Sequence, residues 1–370
     1  MKTFSVRTRI YSGEDSLKVL QRFRQRKIWI ICDGFLATSP LLERLKQALA
    51  EDNQLSLFSD ITPDPTIATV VKGIEQMQVL RPDVVIGFGG GSALDAAKAI
   101  VWFSRQQGIE IETCIAIPTT SGTGSEVTSA FVIGDPQKNI KYPLFSDEIY
   151  PDIAILDPAL VATVPPAITA NTGMDVLTHA LEAYVSPRAS DFTDALAEKA
   201  AQLVFRHLPT ACRKGDCLIT RGKMHNASTL AGIAFSQAGL GINHAIAHQL
   251  GGQFHIAHGL ANSLLLVPVI QFNAVDNRAR KRYARLAQVC GISTPQCSEQ
   301  QAVNQLIHQI EQLKKQCAMP RHLAELKIDA NQFAANIPAM IAATLGDVTL
   351  KTTPRAATAN DIRDVIEALL

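Results

Sequence analysis

Four of the nine histidines in this 370-residue chain, His244, His248, His255 and His258, fall within fifteen consecutive residues. Imidazoles grouped in this way either move protons or hold a transition metal. His244 and His248 stand four apart, as do Asp175 and His179 in the segment Gly173-Met174-Asp175-Val176-Leu177-Thr178-His179. On a helix that spacing projects both side chains from one face. Gly251-Gly252 is expected to end the second helix, so that the chain turns back and presents His255 or His258 to the same point. A lone i,i+4 pair is an ordinary feature of a helix face, whereas two such pairs, one carrying a carboxylate, point to a metal. Imidazole with one carboxylate suits Fe(II), Zn(II) and similar ions, and the absence of a cysteine partner argues against a structural zinc. His244 is followed by Ala245 rather than glutamate. The water-activating carboxylate of a zinc protease is therefore missing, and hydrolysis is disfavoured. Spacing names neither the metal nor which of the clustered histidines bind it.

A second constellation lies upstream. Val84-Val85-Ile86-Gly87-Phe88-Gly89-Gly90-Gly91-Ser92 reads as a buried strand running into a helix over Ala93–Gln106. The free N–H groups of a helix start accept an anion, glycines let a pyrophosphate approach the backbone, and Ser92 is placed to cap the helix. The usual dinucleotide fingerprint wants glycine where Ser92 stands and an acidic residue about twenty positions later, and neither requirement is met. Asp33, at the end of the strand Ile28–Cys32, is the better candidate for the adenosine ribose. Its carboxylate would accept from a 2′-hydroxyl and repel a 2′-phosphate, which favours NAD over NADP, although an aspartate ending a strand also forms turns. A third loop, Pro118-Thr119-Thr120-Ser121-Gly122-Thr123-Gly124-Ser125-Glu126, follows the strand Ile115–Ile117 and could wrap a phosphate or a nicotinamide.

These residues need a scaffold, and the patterning supplies one. Strand-like runs at Ile28–Cys32, Leu55–Ser59, Val84–Phe88 and Ile115–Ile117 alternate with helical patterns at Leu41–Ala50, Ile67–Gln78 and Ala93–Gln106. That rhythm predicts β-α-β units and a parallel sheet with helices on both faces. Val132 and Tyr142 flank the turn Asp135–Asn139, which reads as a hairpin insertion, and Ile153–Leu156 is one more buried strand. From Pro165 onward the apolar spacing is helical, as in Leu177, Leu181 and Tyr184. Pro165-Pro166 can open a helix, because proline has no N–H to lose there. The sequence therefore predicts a Rossmann-like α/β domain over residues 1–162 and an all-α metal-binding domain over 163–370, with the active site in the cleft between them.

Composition narrows the function. A chain with 47% hydrophobic residues has ample apolar surface to bury, and 35 basic against 34 acidic side chains leave no field for nucleic acid or an anionic membrane. The N-terminal residues lack the apolar core of a secretion signal, so a cytoplasmic protein is expected. Seven scattered cysteines without a C-x-x-C pair suggest neither a zinc ribbon nor a thioredoxin-like site.

Taken in order, Gly-Gly-Gly-Ser with Asp95 and Lys98, Pro118-Thr119-Thr120 through Glu126, and Asp175 through His179 with Glu182-Ala183-Tyr184 form one pattern. Ala238-Gly239-Leu240-Gly241 through His244 with Ala247-His248, then His258-Gly259-Leu260-Ala261-Asn262, complete it. Over essentially the whole chain this resembles the iron-containing (group III) alcohol dehydrogenases. The resemblance implies metal ligands at Asp175, His179, His244 and His258, and a proton-relay role for His248. It also implies a pyrophosphate held by Gly90, Gly91 and Ser92, with Thr119, Thr120 and Thr123 near the cofactor, Asp33 on the ribose and Lys141 a further contact. Phe235 would line the substrate pocket. The implied cofactors are NAD and Fe(II), and the implied reaction interconverts a short primary alcohol and its aldehyde.

Within the family, the chain length, the N-terminus and Ile140-Lys141-Tyr142-Pro143-Leu144-Phe145 look most like members serving propanediol-utilising bacterial microcompartments. Members serving ethanolamine utilisation come second. The resemblance then implies propanal reduction that regenerates NAD+ for an aldehyde dehydrogenase, inside a microcompartment shell and as a homo-oligomer. A dehydroquinate-synthase-like metal lyase would share the two-domain plan but needs basic residues for a phosphorylated substrate. The segments Ala238–Leu250 and Ala257–Leu266 contain no lysine or arginine. A non-catalytic binding protein would be expected to have lost a ligand or broken a loop, and neither is seen.

Overall fold

A computed structural model describes residues 3–137 and 140–370, apart from the side chains of Ile140 and Lys141. The chain divides into two compact units, Ser5–Thr163 and Val164–Leu370, the second also taking in Thr3 and Phe4. No helix among the described residues is long and apolar enough to cross a membrane.

The first unit is built on strands β1 (Arg9–Ser12), β2 (Lys27–Asp33), β3 (Gln54–Ile61), β4 (Val84–Gly89), β5 (Thr113–Pro118) and β8 (Ile153–Leu156). They form one parallel sheet in the order β1-β8-β5-β4-β2-β3. Strands buried on both faces read as continuous apolar runs. In β2, Ile28 and Ile30 join a core with Leu20, Leu42 and Leu45, while Trp29 and Ile31 join the opposite core with Val70, Met77 and Ile100. The helices that cover the sheet are α1 (Gly34–Ala37), α2 (Pro40–Gln47), α3 (Ile67–Leu80) and α4 (Gly91–Gln106). Strands β6 (Ala130–Asp135) and β7 (Ile140–Phe145) pair antiparallel as a separate ribbon, and the turn residues Lys138 and Asn139 lie outside the described residues.

Two local features depart from the sequence pattern. Helix α4 starts at Gly91 with Gly90 at its N-cap, so Ser92 is not the cap; its hydroxyl instead accepts from the Asp64 N–H at 3.3 Å. Strand β1 was not anticipated: it is four residues long with no fully buried position, so it has no apolar run to announce it. What makes it a strand is its pairing with β8, a tertiary cause.

The second unit is helical: α5 (Pro166–Val185), α6 (Asp191–Arg213), α7 (Leu218–Ala238), α8 (Ile242–Phe254), α9 (His258–Asn273), α10 (Asn277–Val289), α11 (Glu299–Gln316), α12 (Ala330–Gly346) and α13 (Ala359–Glu367). One core gathers α5, α6, α7, α10 and α11, and another gathers α8, α9, α12 and α13. Helix α9 joins them, giving Leu266 and Ile270 to the first and Leu264, Leu265 and Val269 to the second. Gly251-Gly252 does not end α8, as the sequence had suggested. The helix runs through both glycines to Phe254, and His255, in the left-handed conformation at φ 53°, makes the turn. Packing of the surrounding helix outweighs the roughly 1 kcal/mol that each glycine costs a helix interior.

Candidate functional site

Helix α5 carries Asp175 and His179 on one buried face, His244 lies in the first turn of α8, and His258 is the first residue of α9. One potential ligand atom from each of the four lies within 4.8 Å of every other. Asp175 Oδ1 stands 3.8 Å from His179 Nε2, 3.7 Å from His244 Nε2 and 3.5 Å from His258 Nε2. A divalent first-row ion about 2.1 Å from each donor would hold tetrahedral ligands about 3.4 Å apart. The three separations from Asp175 are only slightly longer, and three imidazoles with one carboxylate are the donor set such an ion takes. His255 is exposed and outside the cluster, which leaves His258 as the contribution from beyond the turn.

Close backbone approach makes the convergence possible. A Cβ on Gly259 would stand 2.2 Å from the Asn171 carbonyl oxygen, so α9 begins against the backbone of α5. A Cβ on Gly173 would stand 2.3 Å from Leu208 Cδ1, so the Leu208 side chain of α6 packs onto α5 where Gly173 has none.

The electrostatics follow from crowding these groups away from water. Burial alone would raise the Asp175 carboxyl, but the facing His179, His258 and His244 rings hold it well below the usual carboxylate range. Burial alone would lower His244, but the Glu182 and Asp175 carboxylates outweigh it and bring the ring to about 9. Desolvation pushes His258 well below an ordinary histidine; Asp175 opposes the push, and the neighbouring His244, His248 and His179 rings add to it. The inner edge of the ring faces these groups, while 44% of the His258 side chain stays accessible. Asp175 ionised and His258 neutral are the forms that bind a cation, whereas His244 must give up its proton as the cation enters.

The sequence motifs contained three further residues whose work spacing did not reveal. Glu182, three residues after His179 on α5, accepts from the Asn243 N–H through Oε1 at 2.8 Å and meets His244 Nδ1 through Oε2 at 2.5 Å. This carboxylate fixes the ring so that Nε2 faces the cluster, the usual outer partner of a ligating histidine. Gly241 makes room for it, since a Cβ there would lie 2.9 Å from Glu182 Oε1. Asn262, four residues after His258, donates to Asp175 Oδ1 at 2.7 Å and accepts from Asn243 Nδ2 at 2.9 Å. Its amide nitrogen also lies 3.1 Å from His244 Nε2 and 3.2 Å from His258 Nε2. The i+3 and i+4 offsets from His179 and His258 were the available signal.

His248 sits one turn after His244 and outside the four-residue cluster, its ring stacked on His258 at a centroid distance of 5.8 Å. Phe235, half-buried on α7, lies 4.5 Å from the His179 ring.

In the first unit, β2, β4 and β5 are neighbours, so their carboxyl ends form one edge. From β2 the chain passes to β3 on one side and then to β4 on the other, the switch point where open α/β sheets bind ligands. Asp33 ends β2 and Gly89 ends β4. Asp33 Oδ1 caps α1 by accepting from the Leu36 N–H at 2.9 Å, and Oδ2 would lie 3.4 Å from a Cβ on Gly89. Gly89 adopts φ 151°, and that Cβ would also come within 2.7 Å of Ala93 Cβ, so the position requires glycine. The Thr119 N–H donates to the Gly89 carbonyl at 2.9 Å. Cβ atoms on Gly90 and Gly91 would meet Thr120 at 3.6 Å and Thr123 at 2.7 Å, so the threonine loop packs directly on the glycine loop. Asp95 locks that packing, accepting from Ser125 Oγ at 2.6 Å and the Val132 N–H at 2.9 Å. Buried Lys98 adds a bond to the Ser125 carbonyl at 2.9 Å. The side chain of Lys141 lies outside the described residues.

Comparison with known proteins adds an independent line. Residues 7–158 match the family model for iron-containing alcohol dehydrogenase, and residues 169–370 match that for the Fe-containing alcohol dehydrogenase family, C-terminal. The chain is 70% identical over 370 residues to the 1-propanol dehydrogenase PduQ of Citrobacter freundii, with 100% of both chains covered. Among solved structures it is similar to 1,3-propanediol oxidoreductase, with a TM-score of 0.93, 30% identity and 100% of both chains covered. It is also similar to the sulfoacetaldehyde reductase of Bifidobacterium kashiwanohense in complex with NAD+, with a TM-score of 0.88, 27% identity, and 100% of this chain and 98% of that one covered.

Proposed function

Since the chain belongs to the iron-containing alcohol dehydrogenase family, we propose that this enzyme interconverts propanal and 1-propanol with NAD(H) and Fe(II), working mainly as an aldehyde reductase. The observation that carries the reading is the convergence of Asp175, His179, His244 and His258 within 4.8 Å. The substrate follows the 70% identical relative, whose name specifies 1-propanol.

When bound, the ferrous ion supplies Lewis-acid polarisation of the aldehyde and NADH supplies the hydride. The chain's own groups do the rest. Asp175, His179, His244 and His258 hold the ion, with Glu182 orienting His244 and Asn262 engaging Asp175. His248 delivers the proton that the new alcohol needs. Phe235, packed on His179, forms a wall of the substrate pocket. Backbone N–H groups at Gly90, Gly91 and Ser92 bind the pyrophosphate at the start of α4. Thr119, Thr120 and Thr123 contact the cofactor, Asp33 Oδ2 accepts from the ribose, and Lys141 adds a contact. Residues 1–162 are thus the cofactor domain and 163–370 the metal domain.

An aldehyde reductase in propanediol utilisation regenerates NAD+ for an aldehyde dehydrogenase, and the sequence resemblance to microcompartment-serving members supports residence inside such a shell. The test is anaerobic NADH oxidation with ethanal, propanal and butanal at equal concentrations. Propanal should give the highest kcat/KM, with ethanal lower by up to about 200-fold, because one methylene is worth about 1–3 kcal/mol in a pocket. Faster turnover of ethanal would move the assignment to ethanol formation in ethanolamine utilisation.

A further inference from the structure

Asp347 lies between α12 and the 3-10 turn Val348–Thr352, far in sequence from every motif above. Its Oδ2 meets His248 Nδ1 at 2.8 Å. Its Oδ1 accepts from the Thr349 N–H at 2.8 Å and from Thr349 Oγ1 at 2.7 Å. With both oxygens engaged, the carboxylate cannot rotate away from the ring without losing a bond. The backbone that carries it is pinned to the start of α8: Thr352 Oγ1 donates to the Leu240 carbonyl at 2.5 Å. A Cβ on Gly239, whose φ is 83°, would lie 2.6 Å from that same hydroxyl. The segment bearing Asp347 and the helix bearing His244 and His248 are therefore fixed to each other. The His248 side chain is 41% exposed and that of Asp347 13% exposed, so the anchor is the more buried member of the pair and the ring keeps an open edge.

We propose that Asp347 is a positioning residue that holds His248 in the tautomer with hydrogen on Nδ1, leaving Nε2 as the atom that exchanges a proton with substrate. This rests on the reading of His248 as the proton relay. In aldehyde reduction, for which bound NADH would supply the hydride at the carbonyl carbon, protonated His248 gives its Nε2 proton to the oxygen of the new alcohol. The ring is left neutral with Nδ1–H still donated to Asp347, and solvent at its open edge returns the proton. In alcohol oxidation the same Nε2 lone pair takes the hydroxyl proton. If a neutral ring donated from Nε2 instead, it would offer a hydrogen where a lone pair is needed, the fault that follows when an orienting carboxylate is replaced by an amide.

Asp347→Asn is the discriminating variant, because its amide oxygen keeps the bonds to Thr349 while its NH2 cannot accept from Nδ1. In the full enzyme with propanal and NADH, kcat should fall by up to about 100-fold, the lower end of the range for general acid–base catalysis, with KM little changed. Nitrogen-15 spectra of the zinc-loaded, histidine-labelled protein, with the His248 signals identified by their loss in His248→Gln, should show the tautomer reversed. Thr349→Val loosens the turn but leaves the His248 contact, and should preserve both kcat and the tautomer. If Asp347→Asn lowers only the melting temperature, as Thr349→Val does, Asp347 merely caps the turn and the proposal fails. If His248→Gln itself keeps full kcat, the relay reading fails and takes this proposal with it. If His248→Gln is slow while Asp347→Asn is not, only the positioning role is overturned.

Discussion

Gly259 has room for a hydrogen and nothing more beside Asn171: a methyl group there would stand 2.2 Å from the Asn171 carbonyl oxygen. Because that neighbour is helix backbone, the strain of Gly259→Ala cannot be relieved by turning a side chain. Helix α9 must back away from α5, and His258 moves away from Asp175 and His179 with it. The variant should lose about 1–3 kcal/mol of stability, as overpacked sites do. Its affinity for Fe(II) should fall by more than about 100-fold, beyond the range for losing an outer-sphere partner. Metal content after gel filtration and a thermal melt check this together; full metal content would show that α9 does not depend on the contact.

Glu182→Gln keeps the size of the side chain but can no longer satisfy both the Asn243 N–H and His244 Nδ1–H as acceptors. Metal affinity should drop roughly 10- to 100-fold, the usual cost of losing such a partner. Titration of the metal-free protein with Co(II), followed by its visible absorption, reads this directly and needs no turnover. Unchanged affinity would mean that His244 is oriented by packing alone.

Asp33→Asn separates two duties of one carboxylate. The amide oxygen can still cap α1 at Leu36, while the charge that repels a 2′-phosphate is gone. The ratio of kcat/KM for NADPH to that for NADH should rise by at least about 10-fold. That is about 1.4 kcal/mol, inside the roughly 4 kcal/mol available to like charges near a protein surface. An unchanged ratio would leave Asp33 as a cap only.

Gly91→Ala places a methyl 2.7 Å from Thr123 Cγ2, at the contact between the glycine and threonine loops. The threonine can rotate, so the fold should survive, but the loop spacing must widen. KM for NADH should rise several-fold while metal content stays at the wild-type level, and a loss of metal instead would contradict the division of labour between the two loops and the histidine cluster.

Much of this arrangement is legible in the sequence because it is periodic. The sheet could be read because strands buried on both faces, such as Val84–Gly89, are uninterrupted apolar runs. Asp175 and His179 announce a shared helix face through their spacing. What spacing could not supply was decided by tertiary contact. Gly251 and Gly252 were expected to stop a helix that packing carries to Phe254, and only the turn at His255 selects His258 over its neighbour. Ser92 was expected to cap a helix that in fact begins one residue earlier. Glu182 and Asn262 act through side-chain bonds to residues 61 and 87 positions away, a range that no local pattern encodes.

The most direct test of the central claim is anaerobic NADH oxidation with propanal by protein stripped of metal and reloaded with Fe(II) or Zn(II), beside His258→Ala. Activity should vanish on stripping, return with Fe(II), and be lost in the variant together with its bound metal. Turnover by the stripped protein, or NADH left untouched by every metal form with propanal, ethanal and longer aldehydes, would contradict a metal-assisted aldehyde reductase built on Asp175, His179, His244 and His258.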